Sequence, residues 1–83
     1  MFYVYILKSL KDEKLYIGYS SDLRKRFKAH QGGEVKSTKP RRPFELIFYE
    51  AYKSMKDAKR REMYFKTTKG KTSLKTMLEF SII

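Results

Sequence analysis

From Phe2 to Leu7 the chain has no polar break: Phe2, Val4 and Ile6 alternate with Tyr3, Tyr5 and Leu7. This aromatic and β-branched run predicts a strand over Phe2–Lys8. Both alternating sets are apolar, so the strand is expected to be covered on both faces. Ser9 to Glu13 reads as a polar turn, and Lys14–Tyr19 as a second strand closing an antiparallel hairpin. Gly18 interrupts that strand, as glycine does where backbone or ligand must approach closely. Ser20-Ser21-Asp22 then opens a helix, with Ser21 the expected N-cap and Asp22 in the first turn. That helix runs to about His30 and stops at Gly32-Gly33. A loop from Glu34 to Pro43, broken by Pro40 and Pro43, leads to a third strand at Phe44–Tyr52. Ser54 opens a second helix that runs through about Thr67. Lys69-Gly70-Lys71 reads as a turn before a last helix, Thr72 to Glu79. The order β-β-α-β-α-α predicts an α+β fold, a small three-stranded antiparallel sheet flanked by helices. Residues 1–83 are expected to form a single domain, with modest stability at this size.

Composition narrows the function. There is no cysteine, which excludes disulfides, zinc fingers, iron–sulfur clusters and thiol nucleophiles. No apolar run approaches the ~18 residues of a membrane span, and the first residues do not read as a signal peptide. The expectation is a soluble cytoplasmic protein. Twenty Lys and Arg face nine Asp and Glu, for a net charge of +11. Such an excess on a 10.0 kDa body points to a polyanionic partner, nucleic acid first. A basic surface kept for solubility is the plainer alternative. An anionic membrane is disfavoured, because no helix carries the wide apolar face of an interfacial anchor.

Two helical faces hold residues that a plain core would not choose. Leu23, Phe27 and His30 share one face of the first helix, with Arg26 on its border. Arg26 can simply snorkel and His30 can be a satisfied rim residue. On the second helix Met55, Ala58, Glu62 and Phe65 form a stripe with a carboxylate in its middle. A buried carboxylate needs a cation, hydrogen bonds or a metal, so Glu62 reads either as an ion-pair member or as a ligand. Tyr3, Tyr5, Tyr16 and Tyr19 crowd the hairpin, and for any one of them core packing is the ordinary role.

Taken together, Tyr3-Val4-Tyr5, Tyr16-Ile17-Gly18, Arg26, His30 and Glu62 resemble the GIY-YIG nuclease superfamily, over residues 1 to about 68. The stretch from Tyr16 to His30 is the specific part. The resemblance implies a three-stranded antiparallel sheet with flanking helices, in agreement with the order read above. It also implies roles. Tyr5 and Tyr16 would assist deprotonation of the attacking water. Gly18 would let the backbone pass close to the site. Arg26 would hold the scissile phosphate, and His30 would hydrogen-bond to a tyrosine or relay a proton. Glu62 would hold a single divalent ion, Mg²⁺ or Mn²⁺. Lys14 sits where some relatives keep a lysine that lowers a tyrosine pKa. The chain departs from the pattern in two places. Tyr3 stands where the signature has Gly, and there is no Asn anywhere, although many members carry one after the metal helix. Thr67, Thr68 or another residue would have to take its place.

The function expected on this basis is a metal-dependent endonuclease acting on phosphodiester bonds of DNA, with structured or damaged DNA and repair as the setting. Lys14, Lys25, Lys36, Lys39, Arg41 and Arg42 are the expected nucleic-acid contacts. DNA is favoured over RNA, no membrane is involved, and a protein partner is compatible. The alternative is a binding module that keeps the fold without the chemistry.

Overall fold

The structure, a computed structural model, describes residues 1–83. The elements run β1 (Phe2–Ser9), β2 (Leu15–Ser20), α1 (Leu23–Gln31), β3 (Phe44–Tyr52), α2 (Met55–Phe65) and α3 (Thr68–Met77), with one 3₁₀ turn at Lys39–Arg41. The strands form a single antiparallel sheet in the order β2-β1-β3. This is the expected α+β architecture. The unbroken apolar run takes the central position, where both edges are paired and both faces covered.

The two faces of β1 build two cores. Val4 and Ile6 pack with Ala58, Phe65, Leu74 and Leu78, so α2 and α3 cover one side. Tyr5 and Leu7 pack with Phe44 and with Leu23 and Phe27 of α1 on the other. Each fully buried Val, Ile, Leu or Phe contributes about 1.5–3 kcal/mol of transfer free energy. Alternation along one strand thus decides which helix faces which side. The register sets Gly18, Tyr5 and Tyr49 in one row across the sheet. Gly18 is required there: a β-carbon would overlap the Tyr5 phenol, which lies across it.

The sequence reading needs correction at several boundaries. The N-cap of α1 is Asp22, not Ser21: its Oδ1 accepts the Lys25 amide at 3.1 Å, while Ser20 Oγ accepts the Asp22 amide at 3.0 Å. Helix α2 ends at Phe65, before Thr67, and α3 begins at Thr68, not Thr72. The expected Lys69-Gly70-Lys71 turn lies inside α3. Thr67 explains the shift, since its Oγ1 donates to Tyr64 O at 2.6 Å and accepts the Gly70 amide at 3.0 Å. That hydroxyl caps a helix and starts it early. Met55 does not join the buried stripe; it is the first residue of α2 and is 45% exposed.

The basic loop is stitched down. Arg41 pairs with Asp12 in the hairpin turn at 2.8 Å and donates to Lys14 O at 3.2 Å, while Ser9 Oγ donates to Arg41 O at 2.6 Å. Arg41 holds the Asp12 carboxyl well below the usual carboxylate range. The Gln31 side-chain amide donates to Phe44 O at 2.9 Å and accepts from Phe44 N at 2.8 Å, fixing the end of α1 to the start of β3.

Candidate active site

The face of the sheet under α1 gathers four of the residues singled out from the sequence: Tyr5, Tyr16, Arg26 and His30. Tyr5 rises from the central strand and its hydroxyl lies 2.8 Å from His30 Nε2. His30 comes from the last turn of α1 and is fully buried. Its other nitrogen, Nδ1, lies 2.8 Å from Thr38 Oγ1. Thr38 donates its own hydroxyl proton to Val35 O at 3.3 Å. Thr38 therefore accepts from His30 Nδ1–H, which leaves Nε2 as an acceptor. The Tyr5 hydroxyl donates to it, and one proton direction runs through the chain of bonds. Tyr16, half-buried on β2, closes the cluster with its ring centroid 5.0 Å from that of His30 and 6.3 Å from that of Tyr5.

Arg26 is exposed on α1, and its guanidinium lies against the phenols of Tyr5 and Tyr16. Burial raises the Tyr5 pKa above its ordinary value, and the neighbouring Arg26 partly opposes that rise. Burial, followed by the Arg26 charge, lowers His30 to about 4. At neutral pH this site therefore holds a neutral imidazole, a protonated Tyr5 and a cation at the surface.

Glu62 is placed where its charge acts on Tyr5. Its side chain is 21% exposed, and Oε2 accepts from Lys66 Nζ at 3.2 Å, an i,i+4 pair whose lysine is more than half exposed. Oε1 accepts no hydrogen bond. The carboxylate is thus neither unpaired in the core nor sealed in a dry ion pair. No group of three or more His, Asp or Glu side chains is arranged to enclose a metal ion. A lone carboxylate with a free oxygen instead fits an ion that keeps most of its waters, as Mg²⁺ does.

His30 is a core residue, not a rim one. Tyr5 and His30 are both fully buried. The accessible members are Tyr16 and Arg26, while Glu62, partly exposed on α2, acts on Tyr5 only through its charge. The basic residues divide as well. Lys25, Lys36 and Lys39 are exposed, whereas Arg41 and Arg42 spend guanidinium donors on backbone carbonyls and, for Arg41, on Asp12. Lys14 lines a groove between β2 and α3, and it is not among the charges acting on Tyr5. Sequence reasoning missed Thr38 altogether. It is a polar residue in a basic loop, eight positions after His30, and no periodicity connects them.

The buried imidazole has a consequence for stability. In an unfolded chain a histidine titrates near 6.5. The folded value of about 4 means the unfolded chain alone binds this proton between those pH values. Stability should be unaffected by His30 above pH ~6.5 and fall as pH drops toward 4. At pH 4.5 the expected loss from this group is on the order of 2–3 kcal/mol. Urea unfolding at pH 7 and 4.5, compared with His30→Gln, isolates it. Equal acid losses in both proteins would contradict the assignment.

The chain belongs to the GIY-YIG family: the profile of the GIY-YIG catalytic domain matches residues 1–76. It is 46% identical to a UPF0213 protein of Clostridium perfringens over 67 residues, covering 80% of this chain and 71% of that one. It is 40% identical to a UPF0213 protein of Staphylococcus saprophyticus over 78 residues, covering 93% and 94%. The solution NMR structure of a UPF0213 protein from Bacillus halodurans matches with TM-score 0.57 and 37% identity, covering 93% of this chain and 85% of that one. Family membership places the chain among nucleases acting on nucleic acid, which generally depend on a divalent metal. No helix is long and apolar enough to cross a membrane.

Proposed function

We propose that residues 1–83 act as one GIY-YIG-type domain and that the chain is a divalent-metal-dependent endonuclease hydrolysing phosphodiester bonds of DNA, structured or damaged DNA included. The observation that carries this reading is the convergence of two phenols, a guanidinium and an imidazole, with the Glu62 charge acting on the same phenol.

Hydrolysis builds negative charge on the phosphoryl oxygens. Arg26, exposed and planar, is suited to bind the scissile phosphate and stabilise that charge. Tyr16 is the phenol a water can approach. Tyr5 packs beside it, with ring centroids 6.3 Å apart, and a proton released by the attacking water and taken up at the Tyr5 hydroxyl, as that hydroxyl gives its own to His30 Nε2, would end on the imidazole. Thr38 is the positioning residue that keeps this nitrogen unprotonated in the resting state. His30 is a poor base chiefly because it is buried and then because of the Arg26 charge, and only the second influence can be offset by substrate. A phosphate bound to Arg26 offsets that charge and makes the imidazole more basic when substrate is present. Glu62 would hold Mg²⁺ or Mn²⁺, which when bound supplies Lewis-acid stabilisation of a phosphoryl oxygen. Lys14, Lys25, Lys36 and Lys39 would hold flanking phosphates, with Arg41 and Arg42 shaping the loop that carries two of them.

The test is cleavage of supercoiled plasmid and of flapped, branched, nicked and plain duplex oligonucleotides in Mg²⁺ or Mn²⁺, beside a chelator control. Metal-dependent cutting is expected, suppressed completely by chelator. Binding should weaken with salt at a log–log slope near −0.9 per phosphate neutralised on duplex DNA. Retardation without cutting of any substrate would instead favour the second reading, a non-catalytic nucleic-acid-binding module. The burial of Tyr5 and His30 and the absence of Asn speak for that reading.

A further inference from the structure

Next to the phenol cluster, on the same face of the sheet, lies a groove of about 630 Å³ between α1 and the β1–β3 pair. Tyr49 lies directly across the ladder from Tyr5, so the groove adjoins the candidate active site. Tyr3, two residues before Tyr5 on the same strand face, meets Tyr49 edge to face, with centroids 6.1 Å apart at 63°. Phe27, the neighbour of Arg26, contributes a third ring to the groove. Tyr49 is 54% exposed, although a core role would bury it as it buries Tyr5. Arg24 and Lys28 stand one helical turn apart on the rim, exposed and without a carboxylate within 4.0 Å. Asp22 also reaches this rim, where one of its oxygens is occupied as the cap of α1.

An exposed aromatic ring with further rings beside it and cations without a carboxylate partner on the rim are what an unstacked base and its phosphates require. We infer that this groove binds one unpaired nucleobase of the strand that crosses the active site, the base against Tyr49 and Tyr3 and the adjoining phosphates on Arg24 and Lys28. The inference rests on the nuclease reading and extends it to substrate: the preferred strand has an unpaired nucleotide beside the scissile bond. A base inside a duplex shows only its edges, and its faces are covered by neighbouring bases. The groove of similar volume between β2 and α3, about 620 Å³, holds lysines and glutamates but no aromatic ring, so it offers phosphate contact without stacking.

The experiment measures binding of labelled single-stranded and blunt-duplex oligonucleotides of one sequence, as DNA and as RNA, in chelator so that nothing is cut. Stacking of ~1–3 kcal/mol per base corresponds to a loss of about 5- to 150-fold for Tyr49→Ala on single strands. Duplex affinity should change less than about twofold. Tyr49→Phe, which keeps the ring, should bind as wild type and exclude misfolding as the cause. Lys71→Ala, in the other groove, should weaken single and double strands alike. The nucleic acid whose binding depends on Tyr49 identifies the sugar. Equal losses for Tyr49→Ala on both strand types, or no loss on either, would overturn the inference. Cutting in Mg²⁺ without Tyr49-dependent discrimination leaves the nuclease reading and removes this site. Tyr49-dependent binding without cutting does the reverse.

Discussion

Replacing Arg26 by alanine should reduce phosphodiester cleavage by about 10²–10³-fold while leaving the fold intact. Removing one preorganised donor to a developing oxyanion has that effect in well-studied hydrolases. Arg26 is exposed and its guanidinium lies against only the two phenols, so its loss costs little packing. The substitution also has a signature that a structural role would not produce. Without the Arg26 charge, His30 should titrate higher than about 4, and Tyr5 should lose the influence that opposes its burial. Arg26→Lys keeps the charge and loses the planar fork, so it should recover only part of the rate. Glu62→Gln should behave like chelator, since one neutral amide replaces the lone carboxylate at the proposed metal position. Cleavage by Arg26→Ala at the wild-type rate, on a substrate the parent cuts, would discard the site assignment. The readouts are single-turnover rates with and without Mg²⁺, and the His30 titration followed by NMR.

The sequence carried most of the fold because its strongest pattern was local and redundant. The apolar run of β1 is readable on both faces, and both faces proved to be core. The site was legible for a different reason. Spacing and resemblance single out Tyr5, Tyr16, Arg26, His30 and Glu62, and the structure brings the first four into one cluster, with the Glu62 charge acting on Tyr5. What spacing does not convey is depth. Tyr5 and His30 are buried because Gly18 admits the phenol from one side and Thr38 closes the imidazole from the other. Both facts depend on contacts between segments far apart in the chain. The same holds for the charges. Arg41 reads as a free cation in a basic loop, yet Asp12, in a turn 29 residues earlier, claims it. Nor does pattern distinguish a glycine that turns a chain from one that lets two helices touch.

Gly70 is that case, and its substitution should have the largest effect on stability. In an exposed helix Gly→Ala gains about 1 kcal/mol, because alanine loses less backbone freedom on folding. Gly70 is the third residue of α3 and is buried against the end of α2. A β-carbon there would overlap the Tyr64 carbonyl and come within 2.8 Å of Phe65 Cα. The obstacles are backbone atoms and cannot rotate away. Either α3 withdraws from α2, or the junction at Lys66–Thr67 unwinds. Withdrawal pulls Leu74 and Leu78 from the core they share with Phe65, Val4 and Ile6. Unwinding breaks the Thr67 cap, which donates to Tyr64 O and accepts from the Gly70 amide. Overpacking of this kind costs about 1–3 kcal/mol or more, and loss of the cap adds about 1 kcal/mol. The net expectation for Gly70→Ala, after the helix-propensity gain, is a loss of about 1–3 kcal/mol, with a fall in melting temperature of roughly 5–20 °C at this chain length. Urea and thermal unfolding at pH 7 measure both. Unchanged or increased stability would mean that helix propensity, not contact between α2 and α3, set the choice of glycine at this position.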